Sequence, residues 1–415
     1  MSTPPIIASE TELTVSTATD ADWDDIFAAD ARAFLFTRPL TDEEQRDQRG
    51  RVSNADVVLV RDPQGVVGTP LVGVSMFYRM SMSVPGGAQA DAAGLSWVSV
   101  AATHRRRGIL RTMITELFDR WEREDLPFAI LTASEGSIYE RYGFGPASFA
   151  RDIEVATGEA HMRESAGPVA TVVYATADDV AARAPDIHAR WVATRPGALG
   201  RPATWWRPIL ADHESQKPPH SSGLHYLLHA DGYAAYRIIT FPGPSYAAVD
   251  EVFAVTDAAH SDLWRVLIGL DLVPKVTASV PSDDPLPLKL TNHRAVDVTG
   301  VSDTIWLRIL DVPRALGMRR YDADLDAIIE VIDDFRGRGG RFAITVREGG
   351  AIVSPVDAEP TVRLDISVLG SIYLGSIRAR SFAAAGRLWT DSPATLAAVD
   401  AAFTTEAAPF AGTFF

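Results

Sequence analysis

Along residues 95–145 the spacing of apolar positions changes twice, and each change predicts an element. Residues 95–100 form a short apolar, β-branched run of strand length. Ile109, Leu110, Met113, Ile114, Leu117, Phe118 and Trp121 then recur at helical spacing and make one stripe. Residues 128–133 return to a strand-length run, followed by a short turn carrying Tyr139. Upstream, Trp23, Ile26, Phe27, Ala31 and Phe34 predict a helix with Thr19 or Asp20 as its N-cap. The charge-dense residues 41–51 predict a second, exposed helix. Residues 56–60 and 70–78 read as strands around a turn at 62–67. Residues 1–12 read as a disordered leader.

Near residue 150 the pattern restarts. Trp191, Trp205 and Trp206 mark a helical, aromatic segment ending near the loop 215–223. Residues 224–228 and 233–239 flank Ala230-Asp231-Gly232, a hairpin signal. Residues 249–255 then precede a helix with Leu263, Trp264, Leu267 and Ile268 on one face. This repeats the grammar and loop length of residues 97–117, which predicts a diverged internal repeat. From about 298 the style changes again. Residues 305–310 read as a strand and 313–321 as a helix opening at Pro313. Alternating runs at 328–332, 341–346 and 362–366 resemble an antiparallel sheet, and helical segments follow around 369–374, 382–388 and 393–403. The chain therefore divides into residues 1–150, 151–297 and 298–415, of mixed α/β and α+β class.

The loop before the first striped helix holds the chemistry. Arg105-Arg106-Arg107-Gly108 stands where the first helical turn begins, and the N–H groups there lack intrahelical acceptors. Three arginines oppose the helix dipole unless an anion offsets them. Gly108 removes the Cβ that would keep a ligand from the backbone. Arginine forks suit phosphate oxygens, so the loop reads as a pyrophosphate site. In the second copy Asp257, His260 and Asp262 occupy the equivalent loop; carboxylates repel phosphate, so this copy reads as cofactor-free.

Composition narrows the classes. At 415 residues the chain exceeds one compact core. A net charge of −15 argues against nucleic acid as a partner and favours cationic co-substrates such as amines. No run has the length of a membrane span. The first residues lack the features of a signal peptide. With no cysteine there is no thiolate nucleophile or thiolate metal site, compatible with a reducing cytoplasm. His220, His225 and His229 are the one histidine cluster, and neither carboxylate nor cysteine completes a ligand set, so no metal is expected. Residues 337–340 read as a turn, since no lysine-serine pair comes after them.

Residues 105–108 resemble the R/Q-x-x-G-x-G/A acetyl-CoA loop of the GCN5-related N-acetyltransferases (GNAT), departing at the last position, where Leu110 replaces a small residue. Thr103-His104-Arg105-Arg106-Arg107-Gly108, Ala133-Ser134-Glu135-Gly136 with Ile138-Tyr139, and Asp284-Pro285-Leu286-Pro287 resemble one branch, the Eis (enhanced intracellular survival) acetyltransferases. So do Trp306-Leu307-Arg308-Ile309, residues 369–375 and the aromatic last residues. The resemblance implies two tandem GNAT-like folds, the second without a cofactor site, followed by a sterol-carrier-like domain that delivers the chain's end to the active site. It also implies a hexamer built from two trimers.

The resemblance further implies direct transfer of acetyl from acetyl-CoA to a primary amine of a small molecule, with a contribution to drug resistance. Tyr139 matches the general acid, with Tyr142 as a neighbouring competitor that aligns with a packing position. The carboxylate of the last residue, Phe415, matches the base. Val98 and Val100 match backbone positions along the pantetheine arm, with the Val100 N–H as oxyanion donor. Arg105, Arg106 and Gly108 match the pyrophosphate loop, and Ser134 the cleft lining. Phe36 and Phe414 fall where the best-known members carry acceptor-pocket carboxylates, which disfavours polycationic aminoglycosides. Against the enzyme stand two other readings: an apolar-ligand carrier with a vestigial acetyltransferase domain, and a scaffold without turnover.

Overall fold

The computed structural model describes residues 13–36, 38–164, 171–240 and 243–415, so the expected leader lies outside the described residues. The chain divides into two compact units, Met1–Tyr78 with Leu95–Asp125, and Arg79–Gly94 with Leu126–Phe415.

In the first unit, strand Val57–Arg61 pairs antiparallel with Thr14–Thr17 on one side and with Leu71–Ser83 on the other. Gln89–Val100 is the next strand in the sheet, so the apolar run at 95–100 is the second half of a longer strand. Helix Ile109–Arg123 buries Met113, Ile114, Leu117, Phe118 and Trp121, each worth about 1.5–3 kcal/mol relative to exposure. The helix approaches the sheet closely because Gly73 lacks a side chain. A Cβ there would stand 2.7 Å from Ile109 Cγ2 and 3.0 Å from Met113 Sδ. Arg120 ties the helix to the sheet's outer end, donating to the Ala55 carbonyl at 2.5 Å and to Thr17 Oγ1 at 3.2 Å.

The expected N-cap moves: Asp22, not Thr19 or Asp20, stands at the N-cap of helix Trp23–Ala33. Thr41 and Glu44 form a reciprocal capping box on helix Asp42–Arg49, with Thr41 N donating to Glu44 Oε2 at 2.7 Å. Thr19, of the two caps considered, starts a short 3₁₀ turn, Asp20–Asp22, that leads into helix Trp23–Ala33.

In the second unit the central sheet has seven strands. Its hairpin turns at Ala230-Asp231, with His229 opposite Gly232. Tyr246–Ala254 then leads through a short loop to helix Asp257–Ile268, the second copy of the strand–loop–helix.

Three features differ from expectation. Trp306–Ile309, read with the third segment, pairs antiparallel with Phe128–Leu131 and continues onto Gly145–Pro146. The third sheet is mixed, because Leu325–Ile332 runs antiparallel to Gly340–Arg347 but parallel to Val362–Asp365. The intervening hairpin, Gly340–Arg347 with Gly350–Pro355, lies on the other side of Leu325–Ile332, so the chain returns in the same direction. Finally, the helix expected over 382–388 is Ala379–Ala384. Gly386, at φ 71°, ends it, and Leu388–Thr390 adds a strand beside Val362–Asp365.

Candidate active site

Four features of the first unit shape the loop. Gly108 is the N-cap of helix Ile109–Arg123, takes φ 78°, and has nothing within 4 Å of where a Cβ would stand. Among the described residues no side chain caps this helix, and no acidic residue lies in its first turn. Arg105 and Arg106 are exposed, and among the described residues neither pairs with a carboxylate. Arg107 lies 3.8 Å from Asp62 Oδ2, and His104 Nε2 lies 3.0 Å from the same atom. The hydrogen bond with His104 is the main cause holding the Asp62 carboxyl below its ordinary range. Asp62 Oδ1 also accepts from the Gln64 N–H at 2.9 Å. The loop is thus pinned through His104 and Arg107, leaving two arginines and an uncapped helix start open to an anion.

The second copy is built the opposite way. Thr256 caps helix Asp257–Ile268, its side chain accepting from Ala259 N at 3.2 Å, and Asp257 occupies the first turn. Asp262 is buried and paired with Arg265 at 2.5 Å, and His260 meets Asp284 at 3.2 Å. Where one copy exposes donors, the other has satisfied them from within the chain. The fit to a pyrophosphate is confined to the first.

Before the loop, Trp97 takes φ 53° within strand Gln89–Val100. A non-glycine residue in the left-handed region of a strand is a local kink of the kind that re-aims the residues after it. Phe27 packs edge-on against its ring at 5.9 Å. Beyond it Val98 and Val100 are half-buried and Ser99 is buried. The same unit holds Phe36, 56% exposed and stacked on Phe34 with ring centroids 6.4 Å apart.

In the second unit the turn after Phe128–Leu131 presents Ser134, which is exposed, and Tyr139, which is buried against the edge of Phe144 at 6.2 Å. The Tyr139 carbonyl accepts from Tyr142 N at 3.0 Å and Phe144 N at 3.3 Å, so its backbone is fixed. Burial first, then the Tyr142 and Glu135 charges, push the phenol up to about 12. It is therefore a proton donor at neutral pH. Tyr142 instead packs edge-on to Phe335 at 4.9 Å.

Phe415 lies in the same unit. Thr132 Oγ1 donates to its main-chain oxygen at 3.4 Å. A Cβ on Gly94 would stand 2.9 Å from Phe415 Cε2 and 2.8 Å from Met80 Sδ, so the missing side chain of Gly94 makes the seat for that ring. Gly94 and Thr132 carry no motif. The one sequence signal is a glycine bordering the apolar run at 95–100, since glycine in or beside a strand marks close approach. Phe414 is 81% exposed.

The histidine cluster has other partners. His229 Nδ1 accepts from Asp231 N at 2.9 Å, and His225 packs on Tyr236 at 5.2 Å. Among the described residues no group of three or more potential metal ligands occurs, and no helix is long and apolar enough to cross a membrane.

Comparison with known proteins finds relatives along nearly the whole chain. Family models described as acetyltransferase (GNAT) domains match residues 14–147 and 197–309, and a sterol carrier protein domain matches 312–412. The N-acetyltransferase Eis of Mycobacterium tuberculosis is 38% identical over 95% of this chain and 97% of its own length. An uncharacterized N-acetyltransferase of Streptomyces coelicolor is 32% identical, covering 94% and 96%. The crystal structure of Eis1 from Mycobacterium abscessus superposes with a TM-score of 0.83 at 29% identity, covering 98% of this chain and all of that one. The fold is shared also with a GCN5-related N-acetyltransferase from Anabaena variabilis, at TM-score 0.83 and 18% identity, covering 97% of this chain and all of that one.

Proposed function

This chain belongs to the Eis family of N-acetyltransferases, and from that premise we propose that it transfers acetyl from acetyl-CoA directly to a primary amine of a small molecule. The observation that carries this reading is the contrast between Gly108, open and uncapped, and Thr256, which closes the same position in the second copy. Arg105, Arg106 and the N–H groups at Gly108 hold the pyrophosphate. Bound acetyl-CoA supplies an activated acyl group as its thioester.

The chain's own groups do the rest. The backbone at Val98 and Val100 orients the pantetheine arm, and the Val100 N–H steadies the developing oxyanion. Ser134 lines the cleft. Tyr139 delivers the proton that the departing thiolate needs. The carboxylate of Phe415, taken as the chain terminus, accepts the proton of the attacking amine. Transfer runs directly through a ternary complex, and the chain has no cysteine that would argue otherwise.

Phe36 and Phe414 shape the acceptor preference. Apolar side chains there give a polycation little to bind, so aminoglycosides rank below smaller or more apolar amines, including lysine-like amines of peptide antibiotics. Acetylating such compounds lowers susceptibility to them. The working form is a homohexamer in the cytoplasm, and nucleic acid is not a partner. The test is CoA release with acetyl-CoA and a panel of amines, for the native chain and for one extended past Phe415. Activity confined to the native chain, with acetyl-CoA binding intact in both, supports the assignment. Equal activity in both removes Phe415 as base.

A further inference from the structure

The last residues do not end as a free tail. Phe410 N donates to the Pro196 carbonyl at 3.0 Å, and Leu199 N to the Ala411 carbonyl at 3.0 Å. Gly412, at φ 65°, lies where a Cβ would strike Trp191 Cη2 at 2.3 Å and Phe253 Cε1 at 2.8 Å. Arg201 then reaches the two residues before Phe414. Its Nε donates to Thr413 Oγ1 at 2.9 Å and one terminal nitrogen to the Gly412 carbonyl at 3.1 Å.

The arginine is itself held. Glu251 accepts from both terminal nitrogens, at 2.5 and 3.1 Å, and Tyr233 donates to Glu251 Oε2 at 2.8 Å. The guanidinium also packs over Trp206 at 5.0 Å and Phe253 at 5.2 Å. Its side chain is 2% exposed. A buried charge needs such compensation, but Glu251 alone could supply it. The bonds to Gly412 and Thr413 spend part of the fork on the tail.

We infer that Arg201 is a positioning residue for acetyl transfer, by which the cofactor-free second copy of the fold aims the carboxylate of Phe415 through Gly412 and Thr413. This rests on the reading of Phe415 as the base. Lysine in its place would keep the charge but lose the planar fork that spans Glu251, Gly412 and Thr413. The second copy, having no phosphate loop, thereby has a role in the reaction of the first.

The experiment measures kcat, the acetyl-CoA KM and thermal stability for the native chain, Arg201→Lys, Thr413→Val, a chain lacking Phe414 and Phe415, and that shortened chain carrying Thr413→Val. The expected result is a fall in kcat of roughly tenfold or more for both single substitutions, with KM for acetyl-CoA within about twofold. In the shortened chain Thr413→Val has no further effect, since the terminal carboxylate then sits on residue 413, two residues short of the Phe415 position. Native kcat in Thr413→Val and Arg201→Lys, beside an inactive shortened chain, overturns the role of Arg201 and leaves Phe415 as base. A shortened chain as active as the native one overturns both. Losses that multiply in the double change mark a general structural effect and also overturn the inference. Should Arg201→Lys fail to fold, Thr413→Val decides alone.

Discussion

Gly94 and Phe415 meet where a single added carbon would not fit, 2.9 Å from Cε2 of the ring. Real Cβ contacts are not that short, so Gly94→Ala must displace the Phe415 ring or Met80. With Phe415 as base, kcat falls by roughly tenfold or more while acetyl-CoA binding is unchanged. Steady-state kinetics beside calorimetric titration of acetyl-CoA separates the two. An unchanged kcat would mean that the ring's seat is irrelevant to transfer.

Arg105 and Arg106 are exposed and without carboxylate partners among the described residues, whereas Arg107 faces Asp62. Arg105→Gln and Arg106→Gln should each raise the acetyl-CoA KM about tenfold or more, the value of a charge-assisted hydrogen bond, with kcat nearly intact. The penalty should shrink as salt rises, because the contacts are exposed. Arg107→Gln should act more through loop stability, visible as a lower Tm.

Tyr139 titrates at about 12, pushed up chiefly by burial. A general acid works while protonated, so the group stays competent through pH 10. The alkaline limb of a kcat profile between pH 8 and 10 should therefore be flat with respect to this residue. Tyr139→Phe should lower kcat by about 10²–10⁴-fold at every pH without altering the profile's shape. A native profile that falls with an apparent pKa near 9, and loses that fall in Tyr139→Phe, would contradict the environment described.

Asp30, on helix Trp23–Ala33, is 7% exposed, and burial pushes its carboxyl up to about 7 from an ordinary 3.8. The folded state then binds the proton more tightly than the unfolded chain. Stability is therefore lost as pH rises from about 4 to about 7 and is level above that. The loss is on the order of 4 kcal/mol at about 1.4 kcal/mol per unit. Asp30→Asn should match the native protein near pH 4 and be more stable by a few kcal/mol at pH 8, as read by urea denaturation. Equal stability at both pH values would show the carboxylate to be solvated or paired.

Much of this was legible where local pattern and local physics agree. The stripe from Ile109 to Trp121 and the Ala230-Asp231 turn both declare themselves within a few residues. Asp257, His260 and Asp262 likewise mark the second loop as unfit for phosphate. What failed to show was partnership between distant segments. Nothing in Trp306–Ile309 says that it pairs with Phe128–Leu131, because a strand's alternation fixes its faces and not its neighbour. The parallel pairing of Leu325–Ile332 with Val362–Asp365 was hidden for the same reason. Gly94, Thr132 and Arg201 have no motif at all. Each matters only because the chain's last residues arrive beside it, and that arrival is a tertiary event.

The pairing of Phe128–Leu131 with Trp306–Ile309 also imposes an order on synthesis. On a ribosome adding about 5–20 residues per second, the earlier strand must wait on the order of ten to thirty seconds for its partner. During that time its edge offers unpaired backbone groups to other nascent chains. A gene fragment ending near residue 150 would make that wait permanent, and expression of the first fold alone should give aggregates where the whole chain does not.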